Sequence, residues 1–359
     1  MKICFTGPEN LHLERWVTYF ARKGHEVHLV IDTPVQYEGV IVHNLNLEYR
    51  KSPVYFLTKL YRLRKIINGI KPDVLHTHYI TGQAYVSVLT GFRPFIVTIW
   101  GNDIYLRPHE RIEEKFFTKL VLKRADMITA DSEDQIDAAI ALGASPESCR
   151  VVQWGVDLNR FIPGSGVKVR EQLGLGDAPV LISQRKFLPL YNIDLIIRAF
   201  ADTLKELPSA HLILTGGGFD EPQVRDLVNE LGINDRTHFT GYIDYEALTD
   251  YLNAADVAVS VPSSDGTAMA VLEAMACGVP LVVSDLPSNR EWIQDGENGY
   301  IVPVGNQPEL ASRLIRLLGD RPLRQQFATR NVQVIHERAD HEKHMARMET
   351  YYRELCDRP

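Results

Sequence analysis

The stretch VPSSDGTAMAVLEAMACGVP (261–280) carries two carboxylates and a flexible glycine where a predicted strand gives way to a helix. The first turn of a helix offers unpaired N–H groups and a partial positive charge, so it suits an anionic ligand. Asp265 precedes this helix, Glu273 lies within it, and Gly266 lets the backbone approach a ligand closely. The alternative is that Asp265 only caps the helix and that Glu273 is a solvated helix residue.

Glycines and histidines mark the ends of other predicted strands. Gly216 and Gly217 lie in a strand-to-helix turn, but any tight turn of this kind uses glycine, so they are weak evidence alone. His76 and His78 alternate along one strand and therefore lie on one face. There they either reach a ligand or pack as buried structural histidines.

Two further stretches contain histidine. Gly7 and His12 lie in the first predicted strand-to-helix turn, where His12 either faces a ligand or is a surface residue. His336, His341 and His344 lack the H-E-x-x-H spacing of a zinc site, so a solvated helix face is expected. The four cysteines form no C-x-x-C pair, and no D-x-D pattern is placed like a metal site. The sequence therefore predicts neither a metal nor a cofactor.

The hydrophobic pattern predicts a scaffold that brings strand ends together. Short runs rich in Val, Ile and Leu alternate with helical patterns, as in parallel sheets with helical crossovers. The predicted strands are 1–6, 26–31, 73–76, 95–99, 126–130, 150–154, 179–183, 211–215, 237–241, 256–261 and 280–285. Helices are expected near 192–206, 221–231, 245–254, 269–277 and 307–319. Ligands collect at the carboxyl ends of the strands in such sheets.

A stretch rich in glycine and proline, 162–179, divides this series in two. We expect a doubly wound parallel-sheet domain over 1–165 and a second one over 166–339, with a cleft between the facing sheets. A polar helix over about 340–359 could pack back onto the first domain. The length of 359 residues suits two domains of ordinary size.

Composition and charge exclude several classes of protein. The chain is 45% hydrophobic and 24% charged, which is typical of soluble globular proteins. No apolar run is long enough to span a membrane. The net charge of −7 argues against nucleic-acid binding. Scattered cysteines and the absence of a signal-peptide pattern favour a cytoplasmic location.

One basic stretch, 50–71, contrasts with the acidic net charge. It holds seven Lys or Arg and no acid, interleaved with aromatic and aliphatic residues. Basic amphipathic helices can lie on anionic membranes, so contact with the cytoplasmic face of a membrane is one interpretation. The other is a core-facing helix with a basic outer face.

The motifs along the chain resemble those of the retaining family-four glycosyltransferases, which have the GT-B fold of two facing Rossmann-like domains. DGTAMAVLEAMACGVPLVVSD resembles the E-x7-E signature of that family. The other motifs, which occur in the family's order, are RKGHEVHLV, PDVLHTH, VTIWGND, RADMITADS, WGVDLNRF, LTGGG and DGENGYIVPVGN. Several motifs in the right order are more specific than any one of them.

The resemblance implies roles for the carboxylates. Glu273 matches the second glutamate, which binds the ribose hydroxyls of the donor nucleotide. Asp265 matches the first, which contacts the transferred sugar, and the change from Glu leaves the identity of that sugar open. The backbone that would receive the diphosphate or the sugar is Gly266, Thr267, Ala268, Met269 and Ala270.

The resemblance also implies a basic group beside the diphosphate. Arg185 is the natural partner, because its guanidinium fork binds phosphate oxygens in pairs. Lys186 either supplies a second charge or points to solvent. Tyr191 and Asn192 stand where the family usually has Lys-Gly, which places Asn192 among the expected donor-binding residues. The triple glycine would lie near the nucleotide base.

The first domain is expected to bind the acceptor, through Gly7, His12, His78 and Trp100. Trp100 stands where the family often has a histidine. Because tryptophan cannot accept a proton, Asp103 becomes the nearest candidate for acid–base catalysis.

These inferences predict a retaining, metal-independent glycosyltransferase. It would move a sugar from a nucleotide-diphosphate sugar, with UDP as the expected nucleotide, to a hydroxyl of a glycan or lipid-linked glycan. One alternative is a nucleotide-sugar epimerase of the same fold, which needs no acceptor. The other is a catalytically inactive module that binds sugar nucleotides.

Overall fold

The chain forms two compact α/β units. The computed structural model describes residues 1–45, 47 and 52–357. Unit 1 comprises Met1–Trp154 and Lys343–Pro359, and unit 2 comprises Gly155–Glu342. Each unit contains its own parallel sheet, so the prediction of two doubly wound parallel-sheet units is confirmed. The expected boundary at residue 165 falls within unit 2.

Unit 1 is built on seven strands. They are β1 Lys2–Thr6, β2 Glu26–Ile31, β3 Val40–Asn44, β4 Val74–His78, β5 Phe95–Thr98, β6 Met127–Ala130 and β7 Cys149–Val151. Their order is β3-β2-β1-β4-β5-β6-β7, and every pairing among the described strands is parallel. The order reverses between β1 and β4, where a doubly wound sheet opens its ligand crevice.

The helices of unit 1 cover both faces of this sheet. Before the chain enters unit 2 they are α1 Leu11–Arg22, α2 Pro53–Ile70, α3 Gly82–Leu89, α4 Asn102–Tyr105, α5 Arg107–Glu110, α6 Ile112–Arg124 and α7 Glu133–Ala141. Helix α1 begins because the Asn10 side chain accepts a hydrogen bond from the Leu13 amide at 3.0 Å. Its apolar residues are three and four positions apart and therefore lie on one face, on which Trp16 and Phe20 are buried.

Unit 2 is built on six strands. They are β8 Val180–Ser183, β9 His211–Thr215, β10 Thr237–Gly241, β11 Val257–Ser260, β12 Leu281–Ser284 and β13 Gly299–Val302. The order is β10-β9-β8-β11-β12-β13, so the switch point lies between β8 and β11. The helices are α8 Val167–Gln172, α9 Ile193–Glu206, α10 Glu221–Glu230, α11 Leu248–Ala254, α12 Met269–Ala276, α13 Pro287–Arg290, α14 Gln307–Gly319 and α15 Arg321–Arg338.

The elements absent from the sequence prediction include the strands β3 and β13 and the helices α8 and α15. β3 is an edge strand with partly exposed residues, so its pattern is less apolar than that of a central strand. β13 has only four residues and begins with a glycine. α8 lies inside the stretch rich in glycine and proline, 162–179, and α15 has only four buried residues among its eighteen.

The last helix, α16 His341–Cys356, returns to unit 1. Its buried side chains are Met345, Met348, Tyr352 and Leu355. The Tyr352 hydroxyl lies 2.6 Å from Nδ1 of His76 on β4, and both groups are fully buried. The other ring nitrogen of His76 lies 2.7 Å from the Thr98 hydroxyl on β5. A continuous buried hydrogen-bond chain therefore joins α16 to the sheet.

Helix α2 contains most of the basic stretch, of which Arg50 and Lys51 lie outside the described residues. One side of α2 buries Leu63 and Ile67 against the sheet. Lys59 is buried as well, and its Nζ lies 2.5 Å from Oδ2 of Asp32. Within the described ranges, none of the helices has the length and hydropathy needed to cross a membrane.

Candidate functional site

The switch point of unit 2 brings together the residues that follow β8 and β11. Arg185 comes two residues after the end of β8, and Asp265 lies in the turn between β11 and α12. The Asp265 Oδ2 atom lies 2.5 Å from Arg185 Nη2, and the two side chains are 20% and 9% exposed. The Arg185 guanidinium also stacks 4.1 Å from the ring centre of Tyr191. Burial disfavours the charge on Arg185, but Asp265 and Tyr191 together outweigh this effect, and the pKa of the guanidinium is raised.

Helix α12 begins shortly after Asp265, at the end of the loop that follows β11. Its N-cap residue is Ala268, whose side chain has no hydrogen-bond acceptor, so no side chain caps the helix there. Asp265 is therefore not the N-cap, and that alternative from the sequence is wrong. Gly266, Thr267 and Ala268 are buried, Met269 is half-buried, and the Trp292 indole donates to the Thr267 hydroxyl at 3.4 Å.

Glu273 lies one helical turn further along α12 and is only 5% exposed. The Tyr245 hydroxyl donates to its Oε1 at 3.0 Å, and the Gln184 amide donates to its Oε2 at 3.2 Å. The alternative of a solvated helix residue is therefore wrong. Gln184 also donates to the Ala270 carbonyl at 2.9 Å, while its own buried Oε1 has no partner among the described atoms.

Tyr245 and Gln184 are absent from the sequence-based site. Gln184 precedes Arg185 at a strand end, which is a usable signal. Tyr245 lies in an irregular segment before α11, and no local pattern marks it. Only the tertiary structure brings it to Glu273.

Lys186 and Asn192, which were also predicted to bind the nucleotide sugar, differ in their surroundings. Lys186 is exposed. Asn192 adopts a left-handed conformation (φ 52°) and its amide donates to the Val261 carbonyl and the Ser263 hydroxyl, both at 2.9 Å. It thus ties the segment after β8 to the segment after β11.

The triple glycine is required by backbone packing within unit 2. Gly216 has φ 109°, which disfavours other residues. A Cβ on Gly218 would stand 2.3 Å from the Phe187 carbonyl oxygen, and one on Gly217 would stand 2.9 Å from Glu221. The glycines therefore let the β9 turn lie directly against the segment after β8.

The switch point of unit 1 gathers aromatic rings. The His12 ring centre lies 4.3 Å from that of Trp154 and 5.8 Å from that of Trp100. The Tyr79 ring is 5.3 Å from Trp100 on the other side. The structure thus places His12 beside Trp100 and not alone on the surface.

His78 is fully buried at the end of β4, with neither ring nitrogen hydrogen-bonded within the described part of the chain. Burial, with a smaller contribution from His12, lowers the pKa of His78 to about 3. Its ring lies 4.4 Å from that of His76, as expected for two residues on one face of a strand. Gly7 lies directly against His78, because a Cβ at position 7 would stand only 3.1 Å from the Cβ of His78.

Asp103 is fully buried, and its carboxylate accepts three backbone hydrogen bonds. The donors are the amides of Ile80 at 2.8 Å, Trp100 at 3.0 Å and Gly101 at 2.9 Å. Burial raises the pKa of Asp103 to about 6, although these amides act in the opposite direction. The contacts favour a positioning role, in which Asp103 joins the loops after β4 and β5.

No cluster of three or more His, Cys, Asp or Glu side chains able to hold a metal ion occurs among residues 1–45, 47 and 52–357. His336, His341 and His344 therefore form no such group.

The chain is similar to known proteins both in sequence and in structure. Residues 168–333 match the family model described as "Glycosyl transferases group 1", and residues 2–132 match "Glycosyl transferase 4-like". N-acetyl-alpha-D-glucosaminyl L-malate synthase of Bacillus anthracis is 26% identical over 92% of this chain and 90% of its own length. D-inositol 3-phosphate glycosyltransferase of Geodermatophilus obscurus is 32% identical over 70% of this chain, and the match covers 60% of that relative.

Solved structures share the fold at low sequence identity. Anabaena Alr3699/HepE, in a complex with UDP and glucose, superposes with a TM-score of 0.85 at 18% identity, over 99% of this chain and 100% of that one. Sucrose-phosphate synthase from Thermosynechococcus elongatus gives a TM-score of 0.84 at 20% identity, over 99% of both chains.

Proposed function

Because this chain belongs to the glycosyl transferases group 1 family, and so is a glycosyltransferase of the GT-B fold, we propose that it transfers a sugar with retention from a UDP-sugar to an acceptor hydroxyl. The observation that carries the proposal is the juxtaposition of Arg185, the open first turn of α12 and the buried carboxylate of Glu273 at one switch point. Arg185 and the free amides of α12 are able to donate hydrogen bonds to a diphosphate, and the Glu273 carboxylate is able to accept them from hydroxyl groups. The UDP held by the Anabaena neighbour supports uridine as the nucleoside.

Arg185 and the first-turn amides of α12 would hold the diphosphate. Arg185 pairs with Asp265 through one guanidinium nitrogen, Nη2, at 2.5 Å. A phosphate oxygen would either compete with the carboxylate for that nitrogen or bind the other N–H groups of the fork. Asp265 would accept hydrogen bonds from hydroxyls of the transferred sugar. As the bond to the sugar breaks, negative charge grows on the diphosphate, and donors fixed in advance stabilise it most strongly.

Glu273 would accept hydrogen bonds from the ribose hydroxyls. An ionised carboxylate has about four lone-pair sites, and Tyr245 and Gln184 each donate to one of its oxygens. The two donors hold the carboxylate in one orientation, so little side-chain entropy is lost when the ribose binds. Gly216 and Gly217 would lie near the base, with Lys186 and Asn192 at the edge of the donor site.

The acceptor would bind to unit 1, near Gly7, His12, His78 and Trp100. The attacking hydroxyl would approach from the face that the diphosphate leaves, and a leaving phosphate oxygen would take its proton. A dedicated protein base is then unnecessary, which agrees with the three amides engaged by Asp103. We propose that the reaction proceeds without a divalent metal, as the family resemblance implies.

Thermal unfolding with a panel of nucleotides and nucleotide sugars, in EDTA or Mg²⁺, tests the donor site. A ligand at about 100 times its dissociation constant adds about 2.7 kcal/mol to the free energy of unfolding. We expect uridine diphosphates to raise the midpoint equally in EDTA and Mg²⁺, and Glu273→Ala to reduce the effect. No stabilisation by any nucleotide would overturn the donor assignment.

Product analysis with the stabilising UDP-sugar separates the two alternatives. Epimerised UDP-sugar without any acceptor would indicate the epimerase. Binding without turnover on a broad acceptor panel would indicate an inactive module. Sugar transfer with the anomeric configuration kept is the outcome that the proposal requires.

We also propose that unit 1 contacts an anionic membrane through α2 and the neighbouring helix α6. Five large apolar side chains of these helices are 63–86% exposed: Val54, Leu57, Tyr61, Ile112 and Phe116. The two helices contact each other through Phe56 and Phe117, whose ring centres are 6.0 Å apart. The five exposed side chains therefore lie on neighbouring helices. The basic residues of α2 add attraction to anionic lipid.

Flotation with phosphatidylglycerol and phosphatidylcholine vesicles tests this contact. We expect flotation with the anionic vesicles only, and its loss in the double variant Leu57→Asp/Tyr61→Asp. The double variant Val167→Asp/Val304→Asp, which adds the same two negative charges at exposed positions of unit 2, is the matched control. No flotation of the parent at low salt would end the proposal.

A further inference from the structure

Two histidine pairs occupy equivalent places in the two sheets. In unit 1, Nδ1 of His28 on β2 lies 2.9 Å from Nε2 of His43 on the edge strand β3. In unit 2, Nδ1 of His211 on β9 lies 2.9 Å from Nε2 of His238 on the edge strand β10. In both pairs the inner ring is buried and the ring on the edge strand is half-buried. Each pair therefore joins an edge strand to the rest of its sheet.

The Glu26 carboxylate sets the direction of the hydrogen bonds in unit 1. It lies 2.9 Å from Nε2 of His28, and an ionised carboxylate only accepts hydrogen bonds. In neutral rings, Nε2 of His28 therefore carries the proton, and its Nδ1 accepts from Nε2 of His43. A further proton would enter at Nδ1 of His43, where it breaks neither of these hydrogen bonds.

Arg236 sets the opposite direction in unit 2. Its Nη1 atom lies 3.1 Å from Nε2 of His211, and a guanidinium only donates hydrogen bonds. In neutral rings, Nε2 of His211 therefore accepts, and its Nδ1 donates to Nε2 of His238. A further proton has to enter at one of these two Nε2 atoms, because both Nδ1 atoms already carry one. It would break either the hydrogen bond from Arg236 or the one between the rings.

The surroundings of the unit 2 pair also oppose a proton. Burial, His238 and Arg236 lower the pKa of His211 to about 4, and burial lowers the pKa of His238. Within the described part of the chain, no carboxylate acts on either ring. Below a pH of about 6.5, separated histidines bind protons that the paired rings exclude. Acid therefore favours separation of the rings.

The unit 1 pair faces charges of both signs. Glu26 contacts it directly. The cations that line a cavity beside the two rings are Lys2 of β1 and Arg62 and Lys65 of α2. Burial and the other ring lower the pKa of His43, so this pair also resists a proton. The units therefore differ in their hydrogen bonds, which survive protonation only in unit 1.

Strand β10 leads directly into the donor side of unit 2. The Gly216 amide donates to the carbonyl of Gly241, the last residue of β10, at 2.7 Å. The Tyr242 hydroxyl donates to the Gly217 carbonyl at 3.1 Å. Tyr245, in the same segment, donates to the Glu273 carboxylate. A shift of β10 would therefore reach residues proposed to bind the nucleotide.

We propose that the His211–His238 pair is an acid-sensitive switch, which releases β10 and weakens donor binding as the pH falls. Arg236 makes this pair sensitive to acid. The His28–His43 pair, whose outer partner is a carboxylate, is its acid-resistant counterpart. The release of β10 is independent of the proposed transfer reaction, whereas the effect on donor binding rests on it.

Hydrogen exchange of the full chain at pH 7.5 and pH 5, corrected for the intrinsic exchange rates, tests the release of β10. Peptides from β10 and β3 report both edge strands in one experiment, since such strands exchange through local opening. Arg236→Glu gives His211 the type of outer partner that His28 has. His238→Gln keeps a hydrogen-bond acceptor that does not titrate. Arg198→Glu, on the exposed side of α9, makes the same charge change and is the matched control.

We expect the protection of β10 to fall about tenfold between pH 7.5 and pH 5 in the parent, and that of β3 to change little. The fall should persist in Arg198→Glu and shrink to that of β3 in Arg236→Glu and His238→Gln. Equal losses from β3 and β10 in the parent, or a fall that both variants of the pair retain, would overturn the proposal.

Calorimetric titration with UDP at the same two pH values tests the effect on donor binding. We expect the affinity to fall more steeply with acid in the parent and Arg198→Glu than in Arg236→Glu and His238→Gln. Equal falls in all four chains would refute the link between β10 and the donor site. No UDP binding at pH 7.5, with the exchange result as expected, would refute the donor assignment and support the release of β10 alone.

Discussion

At the scale of single residues, the environment of Glu273 shows how a side chain is fixed by partners that are distant in sequence. Tyr245 donates to one carboxylate oxygen and Gln184 to the other. The Tyr245 ring packs 5.4 Å from that of Phe161 and beneath the Arg160 guanidinium, at 4.9 Å. The hydroxyl and the ring therefore have separable roles.

Tyr245→Phe should weaken donor binding while leaving the fold intact. The variant removes one hydrogen bond to a charged group, worth about 1.5–3 kcal/mol, but keeps the ring contacts. We expect the KM for the UDP-sugar to rise about tenfold with a smaller change in kcat. Tyr251→Phe, on the next helix, is the control. An unchanged KM would show that Tyr245 does not position Glu273.

His78 should make the protein sensitive to acid. Its folded pKa of about 3 lies below the unfolded value of about 6.5, so the unfolded state binds more protons between these values. Its contribution to the free energy of unfolding is therefore full above pH 6.5 and falls by up to about 1.4 kcal/mol per pH unit below it. Asp103, with its pKa raised to about 6, has the opposite slope between about pH 4 and 6.

Denaturant unfolding of the parent and His78→Phe between pH 4 and 7 isolates this effect, because Asp103 is common to both chains. The phenylalanine keeps the ring among Phe5, Trp16 and Trp100. We expect a shallower loss of stability in the variant as the pH falls. Parallel curves would contradict the assignment.

Some of these residues were accessible to sequence reasoning and others were not. Arg185, Asp265 and Glu273 stand in motifs tied to strand ends, so their clustering follows from the topology. The burial of Asp103 and the role of Asn192 depend on which backbone groups the loops bring near. No local pattern records that information.

At the scale of elements, the central strands were predictable, whereas two of the four edge strands among the described residues, β3 and β13, were not. β1, β8 and β11 are buried on both faces and therefore read as continuous apolar runs. β3 lacks that signal because Ile41 is 49% exposed at the sheet edge. The predicted bounds of α9 and α14 agree closely with the structure, because the buried apolar residues of these helices recur three and four positions apart.

The attachment of α16 gives a prediction at this scale. Tyr352→Phe would leave Nδ1 of buried His76 without its partner, at a cost of about 1–3 kcal/mol. We expect a lower denaturation midpoint with an unchanged m-value. The neighbouring Tyr351→Phe, on the less buried side of α16, serves as the control. Equal midpoints for Tyr352→Phe and the parent would mean that the hydrogen bond adds no net stability.

At the scale of the whole molecule, the chain leaves unit 1 after Trp154 and returns to it at Lys343. A chain ending at Asp340 would lack the helix that buries Met345, Met348 and Tyr352. We expect calorimetry to show one transition shifted to lower temperature and the other retained. A chain ending at Asp357 should unfold like the parent, and identical transitions in the shorter chain would contradict the expectation.

The return of α16 also sets the order in which the units can be completed during translation. Unit 2 spans residues 155–342, all made before the last segment of unit 1. At roughly 5–20 residues per second, the nascent unit 1 waits on the order of ten seconds or more for that segment. Until then the apolar groove around Phe5, Phe20 and His76 that receives Tyr352 is open to solvent. Unit 2, although second in sequence, is therefore synthesised in full before unit 1 is.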